Sequence, residues 1–240
     1  MFAYEFRWSV LWQQPYGLWM LQGIWTTVKL GVICWFLALA LGIIIGTLRV
    51  SPWRPLRAFA TAYTEFFRDI PLLVQLFFWY FAAPRILPLS IEHFLYHGIK
   101  NVEFWIVVMG LSIYTSSRVA EQIRSGIQSI SADQFHAALS TGLSHFQMYR
   151  FVIIPLAIRI MIPPLTTECL TTFKNTSLAM TVGVLETTFM SQQVEAYTFH
   201  GIEATTGASL VYLAITMIVI LIMGQVEKRL AVPGLIARTR

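Results

Sequence analysis

From Leu30 to Leu48 the chain reads LGVICWFLALALGIIIGTL, nineteen positions without one charged side chain. Extended backwards through Gly23–Lys29, the stretch makes a helix long enough to cross about 30 Å of hydrocarbon. It begins too late, runs too long and lacks a small-x-small site, so it does not have the form of a cleaved signal peptide. The composition agrees with a membrane setting. Of 240 residues, 56% are hydrophobic and 14% aromatic, while 12% are charged, about half the share of a soluble domain. That excludes a disordered chain. The net charge of +5, from 17 basic and 12 acidic residues, is small for this length and argues against a nucleic-acid partner. Cys34 and Cys169 lie in apolar runs with no metal-ligand spacing and read as buried small hydrophobes.

Working outward, a basic loop with Pro52 and Pro55 follows the first span. A second span runs from about Phe59 to Ala83 and carries Glu65, Arg68 and Asp69 ahead of Pro71. A third covers about Val102 to Ser117 and continues as a polar helix through Arg118, Glu121 and Arg124. The fourth starts at Phe151 and is interrupted by Pro155 and by Pro163-Pro164; the fifth is Gly207 to Val226. The fold class expected is an all-α integral membrane protein of about five transmembrane helices. The basic residues orient it. One side receives Arg49, Arg54, Arg57, Arg118, Arg124, Arg150, Lys228, Arg229, Arg238 and Arg240; the other receives Arg7, Arg85 and Lys100. Ten against three puts the amino terminus outside and the carboxyl terminus in the cytoplasm. The chain then divides into an extracytoplasmic segment (1–22), a transmembrane domain (23–229) and a cytoplasmic tail (230–240).

The stretch between spans three and four, about residues 121–150, falls in the cytoplasm and is too long for a simple turn. Ser131-Ala132-Asp133-Gln134 has capping-box spacing. Phe135-His136-Ala137-Ala138-Leu139 then gives a small-residue helical face, and Gly142 allows the chain to bend. Two readings stand: a short helical hairpin that docks on a partner, or an amphipathic helix resting on lipid headgroups.

These stretches resemble a known family, the membrane subunits of type I ATP-binding-cassette importers in their polar amino-acid branch. The family's loop signature is Glu-Ala-Ala, three residues, Gly, nine residues, Ile-x-Leu-Pro. The match here is His136-Ala137-Ala138, Gly142 and Val152-Ile153-Ile154-Pro155. Phe67-Arg68-Asp69-Ile70-Pro71-Leu72-Leu73-Val74-Gln75 resembles the branch's Phe-Arg-Gly-Thr-Pro-Leu-Leu-Val-Gln. Glu121-Gln122-Ile123-Arg124-Ser125-Gly126 is similar to the approach to the loop, and Lys174-Asn175-Thr176-Ser177-Leu178 and Val182-Gly183-Val184-Leu185-Glu186 match further on. The resemblance covers about residues 23–229. Leu11-Trp12-Gln13-Gln14-Pro15-Tyr16-Gly17, Arg118-Val119-Ala120-Glu121-Gln122 and Pro163-Pro164-Leu165-Thr166-Thr167-Glu168 look most like glutamate/aspartate importers. The sequence departs from the pattern at His136, where the family has an acid, and at Asp69-Ile70, where it has Gly-Thr.

The resemblance implies a subunit of the bacterial inner membrane that carries a polar amino acid by alternating access. Its implied partners are a second permease (a paralogue or another copy), a dimer of cassette ATPases, an extracytoplasmic amino-acid-binding protein and membrane lipid. ATP and Mg would be bound by the ATPase, with no cofactor on this chain. His136, Ala137, Ala138, Gly142 and Pro155 would couple the ATPase to the membrane helices, with Phe146 and Tyr149 as apolar anchors.

Charges within spans are costly, on the order of 2.5–3.5 kcal/mol at the bilayer centre, so they face the interior or pair. That makes Arg68, Arg159, Glu168, Lys174, Asn175, Thr176 and Ser177 candidates for the substrate path, with the Pro-Pro break exposing backbone to a cavity. Lys174 snorkelling to the outer interface and an Arg68–Asp69 pair at a helix bend are the plainer alternatives. No catalytic or metal-binding motif is present. Gly42-Ile43-Ile44-Ile45-Gly46 lacks the lysine of a phosphate-binding loop, so this chain is not expected to be an enzyme. A permease for glutamine, histidine or arginine, and a stand-alone secondary transporter, are the remaining alternatives.

Overall fold

The charge-free stretch forms the middle of a longer helix, α1 (Tyr16–Arg49), whose 34 residues extend about 51 Å. The computed structural model describes residues 4–230; the tail expected over 230–240 lies almost wholly outside them. The expected amino-terminal segment is thus partly helical. A short 3-10 turn (Trp8–Leu11) precedes α1, and a Cβ at Gly17 would meet the Trp12 backbone at 3.0 Å. Residues 4–7 are strapped down by Glu203, which is fully buried and accepts hydrogen bonds from the Tyr4 hydroxyl and from the Arg7 amide at 2.6 Å.

Beyond the basic loop, Pro55 opens α2 (Arg54–Asp69), where a missing N–H costs nothing. The expected second span is not one helix. The chain bends by 100° between α2 and α3 (Leu72–Phe77). Pro71 excludes the helical conformation at Ile70, which sits at φ −89°, ψ 130°. The carbonyls released at the end of α2 are not abandoned. The Gln75 side-chain amide donates to the Phe67 carbonyl at 2.7 Å and the Ile70 carbonyl at 2.9 Å. A wide π-helical turn (Phe78–Ala82), α4 (Ala83–Ile86) and α5 (Leu89–Gly98) lead to α6 (Val102–Gln128).

The fourth span also differs from expectation. After α7 (Ala132–Ser140) and α8 (His145–Met148), a π-helical turn (Tyr149–Ile153) feeds α9 (Ile154–Asn175), and a 3-10 turn (Thr176–Val182) continues it. Helix runs unbroken for 38 residues from His145 to Val182, and Pro163-Pro164 does not interrupt it. The two prolines deprive the Arg159 and Ile160 carbonyls of their N–H partners. Neighbouring helices tolerate such losses in a membrane helix, and α9 packs on α1, α6 and α11; the Thr166 and Thr167 hydroxyls donate further on, to the carbonyls of Ile162 (3.0 Å) and Pro163 (3.5 Å). Pro155 is accommodated differently. The Ile154 amide reaches back five residues to Tyr149, widening the turn ahead of the proline ring. Pro84 follows the other wide turn in the same way, with the Ala83 amide bonded to Phe78. The chain ends in α10 (Thr187–Thr198) and α11 (Gly201–Leu230).

By length and apolarity, three helical runs can cross a membrane: α1, His145–Val182 and α11; the bent α2–α3 pair makes a fourth if it counts as one span. The expected third crossing, α6, has 27 residues but is sheathed by protein, packing on α1, α2, α3 and α9. Its inward side therefore carries polar groups: Ser112, Thr115, Ser116 and Ser117 are all buried.

The α1–α6 contact depends on glycine. A Cβ on Gly42 would lie 2.5 Å from a Val119 methyl, and one on Gly46 would lie 2.8 Å from Ile123 Cβ and 2.9 Å from the Ala120 carbonyl. Small residues four apart let two backbones approach this closely. Gly46→Leu is therefore expected to cost about 1–3 kcal/mol of overpacking and lower the melting temperature in detergent. Gly224→Ala, with nothing within 4 Å of the new carbon, should melt like the unaltered protein.

Candidate functional site: a helical hairpin and its charged seam

The hairpin between α6 and α9 is built by the two helices α7 and α8 joined at Gly142. Ser131 precedes α7 with extended backbone, but its side chain caps nothing. The capping box forms one helix later. Ser144 Oγ accepts from the Gln147 amide at 3.3 Å, and Gln147 Oε1 accepts from the Ser144 amide at 2.9 Å. At Ser131 the Gln134 amide bonds the Ser131 backbone carbonyl instead, at 3.1 Å, so the hydroxyl is not needed.

The two alanines have separate roles. Phe135, Ala138, Leu139 and Leu143 turn inward onto a core cluster that includes Ile130, Met148 and Ile153, and Ala138 is buried. His136, Ala137 and Ser140 face outward and are exposed. This is the division a 3.6-residue period imposes. Any partner that docks here meets Ala137 and His136, while Ala138 sets how closely α7 lies on its own subunit. Phe146 and Tyr149 are both exposed, and Tyr149 meets Phe135 edge to face with ring centroids 6.1 Å apart. Gly142 has φ +82° with open space around its α-carbon, so the requirement there is conformational and not steric. Pro155 stands in the first turn of α9, directly after the wide turn that joins it to α8.

Behind the hairpin lies a seam of charge. Glu168 on α9 is buried, and Arg118 of α6 grips both its oxygens at 2.7 and 3.1 Å. Its carboxylate is thereby occupied from within the subunit. Glu121, one turn along α6, gathers three guanidinium groups: Arg49 of α1, Arg68 of α2 at 3.5 Å, and Arg124 at 2.5 Å. Arg68 also lies 3.6 Å from Asp69, so the pair at the helix bend is real, with Glu121 as a third member.

The other expected path residues are spread along one helix. Arg159 is half-buried in α9, and Lys174 is exposed fifteen residues further on, about 22 Å along the axis; neither has an ion-pair partner among the described residues. Asn175 is half-buried at the end of α9. Thr176 is buried and donates to the Phe173 carbonyl at 2.7 Å, and Ser177 donates to the Lys174 carbonyl at 2.8 Å. The structure thus brings Glu168 to Arg118 and Arg68 to Glu121, and does not gather the seven residues into one pocket. Sequence reasoning missed Glu186 as a polar centre. It is fully buried at the start of α10, where it accepts from the Thr188 and Phe189 amides, both at 2.9 Å, and from the Tyr212 hydroxyl at 2.5 Å. An acid directly before the first turn of a helix was the available signal.

The hairpin yields two expectations. Ala138→Leu should displace α7 and lower thermal stability by about 1–3 kcal/mol; Ala137→Leu should leave the melting temperature unchanged while reducing co-purification of a docked partner. Gly142→Val should cost about 1–2 kcal/mol for a left-handed backbone and abolish transport while insertion persists. Gly142→Asn, which tolerates that backbone, should retain most of it. Normal transport by Gly142→Val in a stable complex would refute the role assigned to the bend.

Four likenesses bear on this geometry. Residues 38–232 match the family described as binding-protein-dependent transport system inner membrane component. The glutamate/aspartate import permease protein GltJ of Escherichia coli K12 is 34% identical over 238 residues, covering 96% of this chain and 97% of that protein. A probable glutamine ABC transporter permease, GlnM of Bacillus subtilis, is 33% identical over 210 residues, 88% of this chain and 92% of its own length. Among solved structures, a crystal structure of an amino acid ABC transporter with histidines superposes with a TM-score of 0.76 at 28% identity, covering 89% of this chain and 95% of that one.

Proposed function

Because this chain belongs to the binding-protein-dependent transport system inner membrane component family, it is a non-enzymatic, multi-pass inner-membrane subunit of an ABC importer, and we propose that its cargo is glutamate and aspartate. The observation that carries the cargo is the end-to-end match to the glutamate/aspartate permease, at 34% identity over 96% of this chain. An importer of this kind works with an ATPase and an extracytoplasmic binding protein. We place ATP and Mg on the ATPase dimer, and a second permease, either a paralogue or another copy, across the translocation path.

In this reading the hairpin is the ATPase contact. Its outer face offers Ala137 and His136, side chains short enough for a groove to close around, and the imidazole takes the place of the usual acid. Behind it α8 joins α9 without a loop, so a push on the hairpin is delivered to a membrane helix. The ten-to-three asymmetry of basic residues supports a cytoplasmic hairpin and an outside amino terminus, with α6 as the third of five crossings. Arg159, Lys174, Asn175 and Ser177 remain candidates for the path. Glu168 and Arg68 act there through the ion pairs that hold α9 and α2 to α6.

Uptake of radiolabelled glutamate in a strain lacking the native importer tests the cargo. Unlabelled aspartate should compete as well as glutamate, whereas glutamine, arginine and histidine should compete at least tenfold less. Equal competition by glutamine would reassign the cargo. Uptake into liposomes by this chain alone, without ATP or partners, would overturn the importer reading itself.

A further inference from the structure

A cavity of about 860 Å³ opens between α1, α6, α9 and the hairpin. Its trunk is hydrocarbon, with Leu39 and Ile43 on α1 facing Ile158 and Met161 on α9. Its polar end is cationic. Arg49 and Arg57 line it, and no acidic side chain does. The Arg49 side chain is 7% exposed and its Nε has no hydrogen-bond partner, although its other nitrogens meet Glu121 and Glu65. Arg57 is exposed; it reaches only the Ser51 carbonyl, at 3.5 Å, and has no ion pair among the described residues.

We propose that this cavity holds an anionic phospholipid of the cytoplasmic leaflet, with an acyl chain in the trunk and its phosphate at Arg57. Both ends of the cavity must be satisfied together. A free phosphate would leave the trunk empty, and an apolar helix would leave Arg57 without an anion. The place fits as well: Arg49 ends α1 immediately after the charge-free run, at the level where a phosphate layer begins. Basic pockets between membrane helices on the cytoplasmic side take anionic headgroups for this reason. Phe135 and Tyr149 also line the cavity, so the lipid contacts the hairpin from behind and props it in position.

The complete transporter, with its ATPase and second permease, is reconstituted in nanodiscs of phosphatidylcholine alone or doped with phosphatidylglycerol. Native mass spectrometry after detergent extraction counts the lipid retained, a readout independent of which amino acid is carried. The unaltered complex should retain phosphatidylglycerol in preference to phosphatidylcholine. Arg57→Gln should reduce that preference roughly fivefold, the worth of one cation at an anionic surface. Ile158→Trp, which fills the trunk, should abolish retention, and both variants should lose stimulation of ATP hydrolysis by phosphatidylglycerol. Retention unchanged in both assembled variants would overturn the proposal. So would disulfide capture of Ile158→Cys by a cysteine on the partner permease, since a protein helix would then cover the cavity.

Discussion

The close crossing of α1 and α6 is the constraint from which the remaining arrangement follows. Gly42 and Gly46 bring the two backbones near enough for Val119 and Ile123 to occupy the space where side chains of α1 would otherwise stand. With α1 fixed against α6, α9 packs against both, and the far part of α6 carries Glu121 to the arginines of α1 and α2. Apolar attraction alone does not bring helices together in lipid, where tails are as apolar as leucine. Shape fit and polar pairing do that work, and this subunit uses both along the same helix.

The charges obey the same logic. A carboxylate within a membrane-spanning bundle needs either a cation or several donors. Glu168 has Arg118, and Glu186 has two amides and a phenol. Glu203 ties the amino-terminal strap to α11. Each of these acids joins segments far apart in sequence, so each fixes the tertiary arrangement as well as satisfying itself. Arg159 and Lys174 are the cations of α9 left without such a partner inside the described residues, which distinguishes them from Arg118.

Much of this was legible in the sequence, and the misses have physical causes. The nineteen uncharged residues announced α1, and Gly142 announced the bend of the hairpin, because length and left-handed backbone are local properties. Pro71 was legible as a disturbance, though its 100° effect was not. Pro163-Pro164 was read as a break because the rule for an isolated helix was applied to one supported by neighbouring helices. Ser131 and Ser144 show how little separates two caps: both precede short helices with glutamine three residues on, and only Ser144 makes the reciprocal bonds. The partners of Glu168 and Glu121 were out of reach, since pairing across 50 or 72 residues depends on how helices meet. Composition located the hairpin; it could not show that Ala138 faces in while Ala137 faces out.

The unbroken run from His145 to Val182 makes the hairpin one end of a lever. Thirty-eight residues span about 57 Å, so a rocking of roughly 5° at the hairpin displaces the opposite end by about 5 Å, comparable to a full helical turn. Pro163 and Pro164 deny the Arg159 and Ile160 carbonyls their i+4 amides, which puts the least stiff point of the run in the half nearer the hairpin. Were the run pushed at the hairpin, flexing would concentrate in the nearer half, and the far half, through Lys174 to Val182, would follow as one arm.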